Sequence, residues 1–159
     1  MRHAAEIYDD TDRKLLAALQ QNCRQSAQEL ADATGLSAAT CWRRLKALED
    51  SGVIKAYRAI LDRARAGYAV TAFVNVMIER QYTNVIEEIE NKIRARPEVL
   101  ECYATTGDSD FTLRVVARDI EDYDRFLQKF LLELPEIGQV RSSIALREVK
   151  ETTVLPVAD

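Results

Sequence analysis

The sequence predicts an α+β chain in two parts, a small helical unit followed by a β-α-β-β-α-β sandwich. Three observations carry this expectation. Between residues 9 and 52, three short amphipathic segments each follow a capping residue, and glycine closes the second and third. Residues 62–68 then form a charged, apolar-poor stretch around Gly67, read as a linker. From Ala69 onward, strand-like alternation is interleaved with two segments of helical period. The domains are therefore expected at 1–61 and 69–159, joined by 62–68.

The 159 residues suffice for two small domains. An apolar fraction of 47% with 30% charged residues is that of a soluble globular chain. No segment approaches the roughly 18 uninterrupted apolar residues of a membrane span, so no membrane partner is expected. The first twelve residues carry Glu6, Asp9, Asp10 and Asp12 and no apolar stretch, which speaks against a secretory signal. Cys23, Cys41 and Cys102 are widely spaced and never form a C-x-x-C pair. That pattern fits reduced thiols in the cytoplasm better than a disulfide framework or a zinc site. Cys41 and Cys102 read as inward-facing, apolar-like residues, leaving Cys23 as the candidate for a redox role. His3 is the only histidine. No catalytic residue, metal site or cofactor is therefore assigned.

The elements follow in order. Asp9, with Asp12 three residues on, is a carboxylate-rich start for a helix through Gln21, striped by Leu15, Leu16 and Leu19. Ser26 and Glu29 form an S-x-x-E capping box for a second helix, which Gly35 ends. Ser37 caps a third, whose buried line is Cys41, Leu45 and Leu48 and whose stop is Gly52. Val53 to Leu61 is short and β-prone, as a wing would be. In the second part, Ala69–Glu79 is a strand with Val70, Val74, Val76 and Ile78 on one face and Phe73 and Met77 on the other. Both faces are expected to be at least partly covered. Asn84–Ala95 is a helix that Pro97 prevents from continuing. Strands at Val99–Thr105 and Asp110–Ala117 are joined by a hairpin-sized connection. A helix follows Asp119, and Val140–Val149 closes the sheet. This order is the ferredoxin-like one, with two helices on one face of an antiparallel sheet. The open face calls for a second subunit.

Residues 26–48 present helix, glycine turn and helix, the outline of a helix-turn-helix. In that motif the second helix lies in the major groove, its N-terminal half toward the base edges. With Cys41, Leu45 and Leu48 inward, Ala38, Thr40, Arg43, Arg44 and Ala47 point outward. Arginine suits phosphate or the guanine edge, threonine suits base or backbone, and a small alanine can touch a thymine methyl. Ser26 and Ser37 suit phosphate oxygens at helix starts. Lys46 adds to the basic face, and Lys55 and Arg58 extend it onto the following ribbon. Trp42 reads as a partly buried anchor against the first helix or the wing. A net charge of −4 is unfavourable for a nucleic-acid partner. It is unevenly placed, however: residues 1–62 hold 9 basic and 9 acidic groups, and Ser37 to Leu48 holds no acid. Local phosphate contacts decide affinity, particularly when a dimer presents two faces to double-stranded promoter DNA.

The connection Thr106-Gly107-Asp108-Ser109-Asp110 offers backbone N–H groups to a carboxylate and carboxylates to an ammonium group. Ser142 and Ser143, with Thr105 and Thr106, could add hydroxyls. The same residues are also ordinary turn chemistry.

Several stretches in chain order resemble the Lrp/AsnC, or feast/famine, family of transcription regulators. They are Asp9-x-x-Asp12-Arg13-Lys14-Leu15-Leu16, Leu36-Ser37 and Cys41-Trp42-Arg43-Arg44-Leu45-Lys46-x-Leu48-Glu49-x-x-Gly52-Val53-Ile54. Further on come Thr106-Gly107-Asp108-Ser109-Asp110-Phe111-x-Leu113-Arg114-Val115, Leu134-Pro135-x-Ile137 and Glu148-Val149-Lys150. The resemblance spans roughly Asp9 to Pro156. It implies a winged helix-turn-helix, an amino-acid-sensing ferredoxin-like domain, dimers that assemble further into octamers, and Gly107, Asp108 and Asp110 as the effector loop. Two departures stand out: Phe111, where many relatives have tyrosine, and Ser37-Ala38-Ala39-Thr40, where many have a proline. Two other functions stay open on the residues alone. One is an enzyme using Asp108 and Asp110 as an acid–base pair. The other is a ligand-binding module whose helix-turn-helix is vestigial.

Overall fold

The computed structural model describes residues 8–79 and 86–157. Of these, 8–59 with 150–157 make one compact unit and 60–149 the other.

In the first unit, α1 (Asp10–Gln21), α2 (Ala27–Thr34) and α3 (Ala38–Asp50) begin where local chemistry dictates. Asp9 and Asp12 close a reciprocal capping box, as do Ser26 and Glu29, and the Ser37 side chain accepts from the Thr40 amide. Each bond satisfies an amide that the first helical turn leaves without a partner. Gly35 ends α2 in the left-handed conformation, with φ +71°. Leu15, Leu19, Leu30, Ala31 and Cys41 fill the core, with Leu36, Leu45 and Ile54 packed against it. Full burial of one leucine contributes about 1.5–3 kcal/mol.

One expectation needs correction here. The segment expected as a β wing pairs with nothing: among the described residues no strand lies between Val53 and Ala69. Its start is held instead by Ile54, whose amide bonds to the Leu48 carbonyl. The described tail, residues 150–157, lies with the helices of the first unit. Gln20 donates to the Leu155 carbonyl at 3.0 Å and accepts from the Leu155 amide at 2.6 Å.

The second unit is a four-stranded antiparallel sheet of β1 (Val70–Ile78), β2 (Val99–Ala104), β3 (Phe111–Ala117) and β4 (Ile137–Ile144), ordered β2-β3-β1-β4. The helices are α4, described over Ile86–Arg94, and α5 (Ile120–Lys129), capped by Asp119. The start expected for α4, at Asn84, lies outside the described residues. β4 begins three residues earlier than expected and ends five earlier. Its limits are set by β1, since Ile137 pairs with Ile78 and Ile144 with Ala72, near the beginning of β1. Ala72, Val74, Val76, Leu113 and Val115 meet Ile89, Ile93, Tyr123 and Phe126 in one core.

Among the described residues, no helix packs on the opposite sheet face, which is only partly covered. Phe73 and Tyr103 are 45% and 59% exposed there, with Met77 also open. Both faces of β1 are thus at least partly covered, the second one less completely than the first. Cys102 departs from the reading: it pairs with Leu113 on edge strand β2, yet is exposed, while Cys41 is fully buried.

Candidate nucleic-acid interface and effector site

α3 presents its residues by angle around the helix. Cys41 and Leu48 are buried and Leu45 is partly so, which turns Ala39, Arg43 and Ala47 to solvent. The three basic side chains of α3 are not equivalent. Arg44 reaches back to the start of α1, donating through Nη1 to Asp9 Oδ1 and Oδ2 at 2.9 and 2.8 Å and to Asp12 Oδ1 at 2.9 Å. The Asp12 amide and then the Arg44 guanidinium hold the Asp9 carboxyl below its ordinary range. Lys46 is paired with Asp50 at 2.9 Å. Arg43 is exposed and makes no ion pair or hydrogen bond among the described residues. Within α3 itself the outward basic face thus holds one unengaged arginine, with Arg44 acting as a clamp between helices.

The polar residues near it are partly committed. Ser26 and Ser37 serve as caps, and the Ser37 and Thr40 hydroxyls bond each other at 2.8 Å. Ala38 is only half-exposed and packs against the core. Lys55 and Arg58 are exposed on the unpaired segment after α3. Trp42, expected as a partly buried anchor, is 67% exposed. Beyond it the Tyr57 hydroxyl donates to Glu49 at 2.9 Å, and burial, then that carboxylate, pushes the phenol up to about 12.

In the second unit the β2–β3 connection is a tight loop. Gly107 has φ +116°, a conformation that disfavours a side chain. Thr105 Oγ1 donates to the Ser109 carbonyl at 2.7 Å. Asp110 is a staple: its carboxylate accepts from the Ile78 amide at 2.7 Å, and its own amide donates to Val76. Asp108 is exposed and borders a cavity of about 180 Å³ on the partly covered sheet face, lined also by Asn75, Met77, Ser109, Gln139 and Arg141.

Of the residues expected to hold an effector, the structure therefore brings only Asp108 to this cavity, with Gly107 shaping its loop and Thr106 exposed beside it. Ser142 pairs with Val74 on the helix-covered side and accepts from the Tyr123 hydroxyl at 2.6 Å. Ser143 pairs with Phe73 and does not line the cavity. Arg141, which the sequence reading did not single out, lines the cavity one residue before Ser142. Strand alternation carries the signal, because residues 141 and 143 share a face that residue 142 does not. Phe111 is buried in the core, so the departure from tyrosine falls away from the cavity. A larger cavity of about 340 Å³ lies between α4 and β2, and no predicted effector residue lines it.

Residues 8–55 match the model of a winged helix-turn-helix DNA-binding domain, and residues 71–155 that of the Lrp/AsnC ligand binding domain. The chain belongs to the Lrp/AsnC family. It is 38% identical over 151 residues to the DNA-binding transcriptional activator DecR of Escherichia coli, spanning 95% of this chain and 99% of that one. Among solved structures it resembles a Neisseria meningitidis transcriptional regulator in complex with L-methionine, with a TM-score of 0.90 and 36% identity over 94% of this chain and 97% of that one. It also resembles Escherichia coli AsnC, with a TM-score of 0.85 and 26% identity over 92% and 97%. An Lrp/AsnC protein is a DNA-binding transcription regulator with a ligand-binding domain, not an enzyme, which removes the acid–base reading of Asp108 and Asp110.

Proposed function

We propose that this Lrp/AsnC regulator binds double-stranded promoter DNA through α3 and senses a small amino acid at the Asp108 loop. The observation that carries the effector reading is the pairing of opposite charges across one cavity. Arg141 offers a guanidinium to a carboxylate, Asp108 offers a carboxylate to an ammonium group, and Met77 supplies an apolar wall. The methionine held by the Neisseria relative supports an amino acid as the ligand class. Arg43 is the principal DNA contact in this reading, with Ser26, Ser37, Thr40, Lys55 and Arg58 toward phosphate. The protein acts in the cytoplasm, where promoter DNA is accessible. The test is a thermal-shift screen against the twenty amino acids, followed by a shift titration of the upstream DNA with and without the hit. A protein that binds that DNA but responds to no amino acid would retain the first half of the proposal and lose the second.

The exposed sheet face supports self-association. Phe73, Met77 and Tyr103 would be buried by a second copy, in the symmetric arrangement most homodimers adopt. Dimers, and octamers built from them, are the assemblies proposed. Sedimentation at micromolar concentration is expected to give a dimer or larger species, and Phe73→Asp is expected to shift it toward monomer. A monomeric parent would end this part of the reading.

A further inference from the structure

We propose that Trp42 is a specificity-determining DNA contact, its indole lying against the C5-methyl edge of thymine in the major groove. This rests on the reading that α3 enters that groove.

A tryptophan at 67% exposure leaves most of a large apolar ring without a partner among the described residues. Its position on α3 says what partner it suits. Trp42 lies in the N-terminal half of the helix, the half that a helix-turn-helix turns toward base edges. It directly precedes Arg43, the one basic residue of α3 without an intrachain partner among the described residues. Ala39, one turn before Trp42, is exposed and too small to hold a surface away from the ring. The acidic groups of α3, Glu49 and Asp50, lie seven and eight residues further on, about 10–12 Å along the axis. Both are engaged, Glu49 by Tyr57 and Asp50 by Lys46. The surroundings of the ring are therefore neutral to positive, which fits a polyanion with apolar features. In the major groove the thymine methyl is the apolar feature that distinguishes one base pair from another. Arginine and indole side by side would read a guanine edge and a neighbouring thymine.

Trp42 is the only tryptophan in the sequence, so indole emission reports on this ring alone. The experiment uses the full-length protein and the DNA upstream of its own gene, amplified once with thymine and once with uracil, which lacks the methyl group. Saturating thymine DNA is expected to shield the ring from acrylamide and alter its emission. Trp42→Ala is expected to melt like the parent, since the ring is exposed. It should bind thymine DNA about tenfold or more weakly, while Trp42→Phe keeps most of the affinity. Uracil DNA should weaken the parent by a similar factor and Trp42→Ala by much less, because the two changes remove one contact. A ring still open to acrylamide when a shift assay shows the DNA fully bound, with Trp42→Ala as tight as the parent, would overturn the proposal and leave α3 binding intact. A ring already shielded before DNA is added would overturn it in favour of a second copy. Failure of the parent to shift any upstream fragment would remove the DNA reading itself, and this contact with it.

Discussion

Arg43→Ala is expected to weaken promoter binding by about thirtyfold or more while leaving the melting temperature unchanged. A bidentate arginine–guanine contact discriminates by about 1–3 kcal/mol, and a dimer makes it in two half-sites. Even the low end, about 2 kcal/mol for the pair, corresponds to roughly thirtyfold in affinity. Stability should not change, because the exposed Arg43 side chain makes no ion pair or hydrogen bond among the described residues for the fold to lose. Arg44→Ala is the contrasting variant. It removes the guanidinium that joins Asp9 and Asp12 to α3, so it should lower the melting temperature, with weaker DNA binding as a consequence. Acid should mimic it. The Asp9 carboxyl titrates below its ordinary value when folded, so its contribution is present above the unfolded value and is lost as pH falls through the lowered one. Shift titrations at matched salt, with melting curves of both variants, check the pair. If Arg43→Ala binds as tightly as the parent, the assignment of α3 as the reading helix is wrong.

What could be read in advance, and what could not, divides by the range of the interaction. The helix starts at Asp9, Ser26, Ser37 and Asp119 were legible because a cap is a bond between residues three apart. The β2–β3 hairpin was legible for the same reason. The ends of β4 were not, because they follow the pairing with β1, some 60 residues away. Arg44 looked like one more outward basic residue until the fold brought it to Asp9, 35 positions earlier. The Gln20 pairing with Leu155 spans 135 positions and left no local trace. Trp42 misled for another reason: size and hydrophobicity argued for burial, while its angle, about 100° from Cys41, already pointed away from the core. In the β2–β3 loop and the neighbouring strand, residue types were readable but faces were not. Ser142 and Arg141 are one residue apart, and in a strand one residue is the difference between one face of the sheet and the other.

That one-residue distinction also decides how the effector site should respond to mutation. Asp108→Ala and Arg141→Ala are each expected to weaken amino-acid binding by about tenfold to a hundredfold while leaving DNA affinity without effector unchanged. Hydrogen bonds to charged groups contribute about 1.5–3 kcal/mol each, and loss of either charge leaves one end of a zwitterion unmatched. Neither side chain makes an ion pair or hydrogen bond among the described residues, so the loop and strand should survive both changes. Asp110→Ala is different, because its carboxylate holds the Ile78 amide at the end of β1. Removing it should loosen the strand end and disturb assembly together with binding. Linkage sharpens the comparison: the factor by which effector changes DNA affinity must equal the factor by which DNA changes effector affinity. In Asp108→Ala the response should return only at proportionally higher effector concentration, with the same maximum, if the mutation weakens binding to both states equally. A lower maximum would mean that Asp108 distinguishes the two states of the regulator. An unchanged response in both Asp108→Ala and Arg141→Ala would place the effector elsewhere and return Gly107-Asp108 to an ordinary turn.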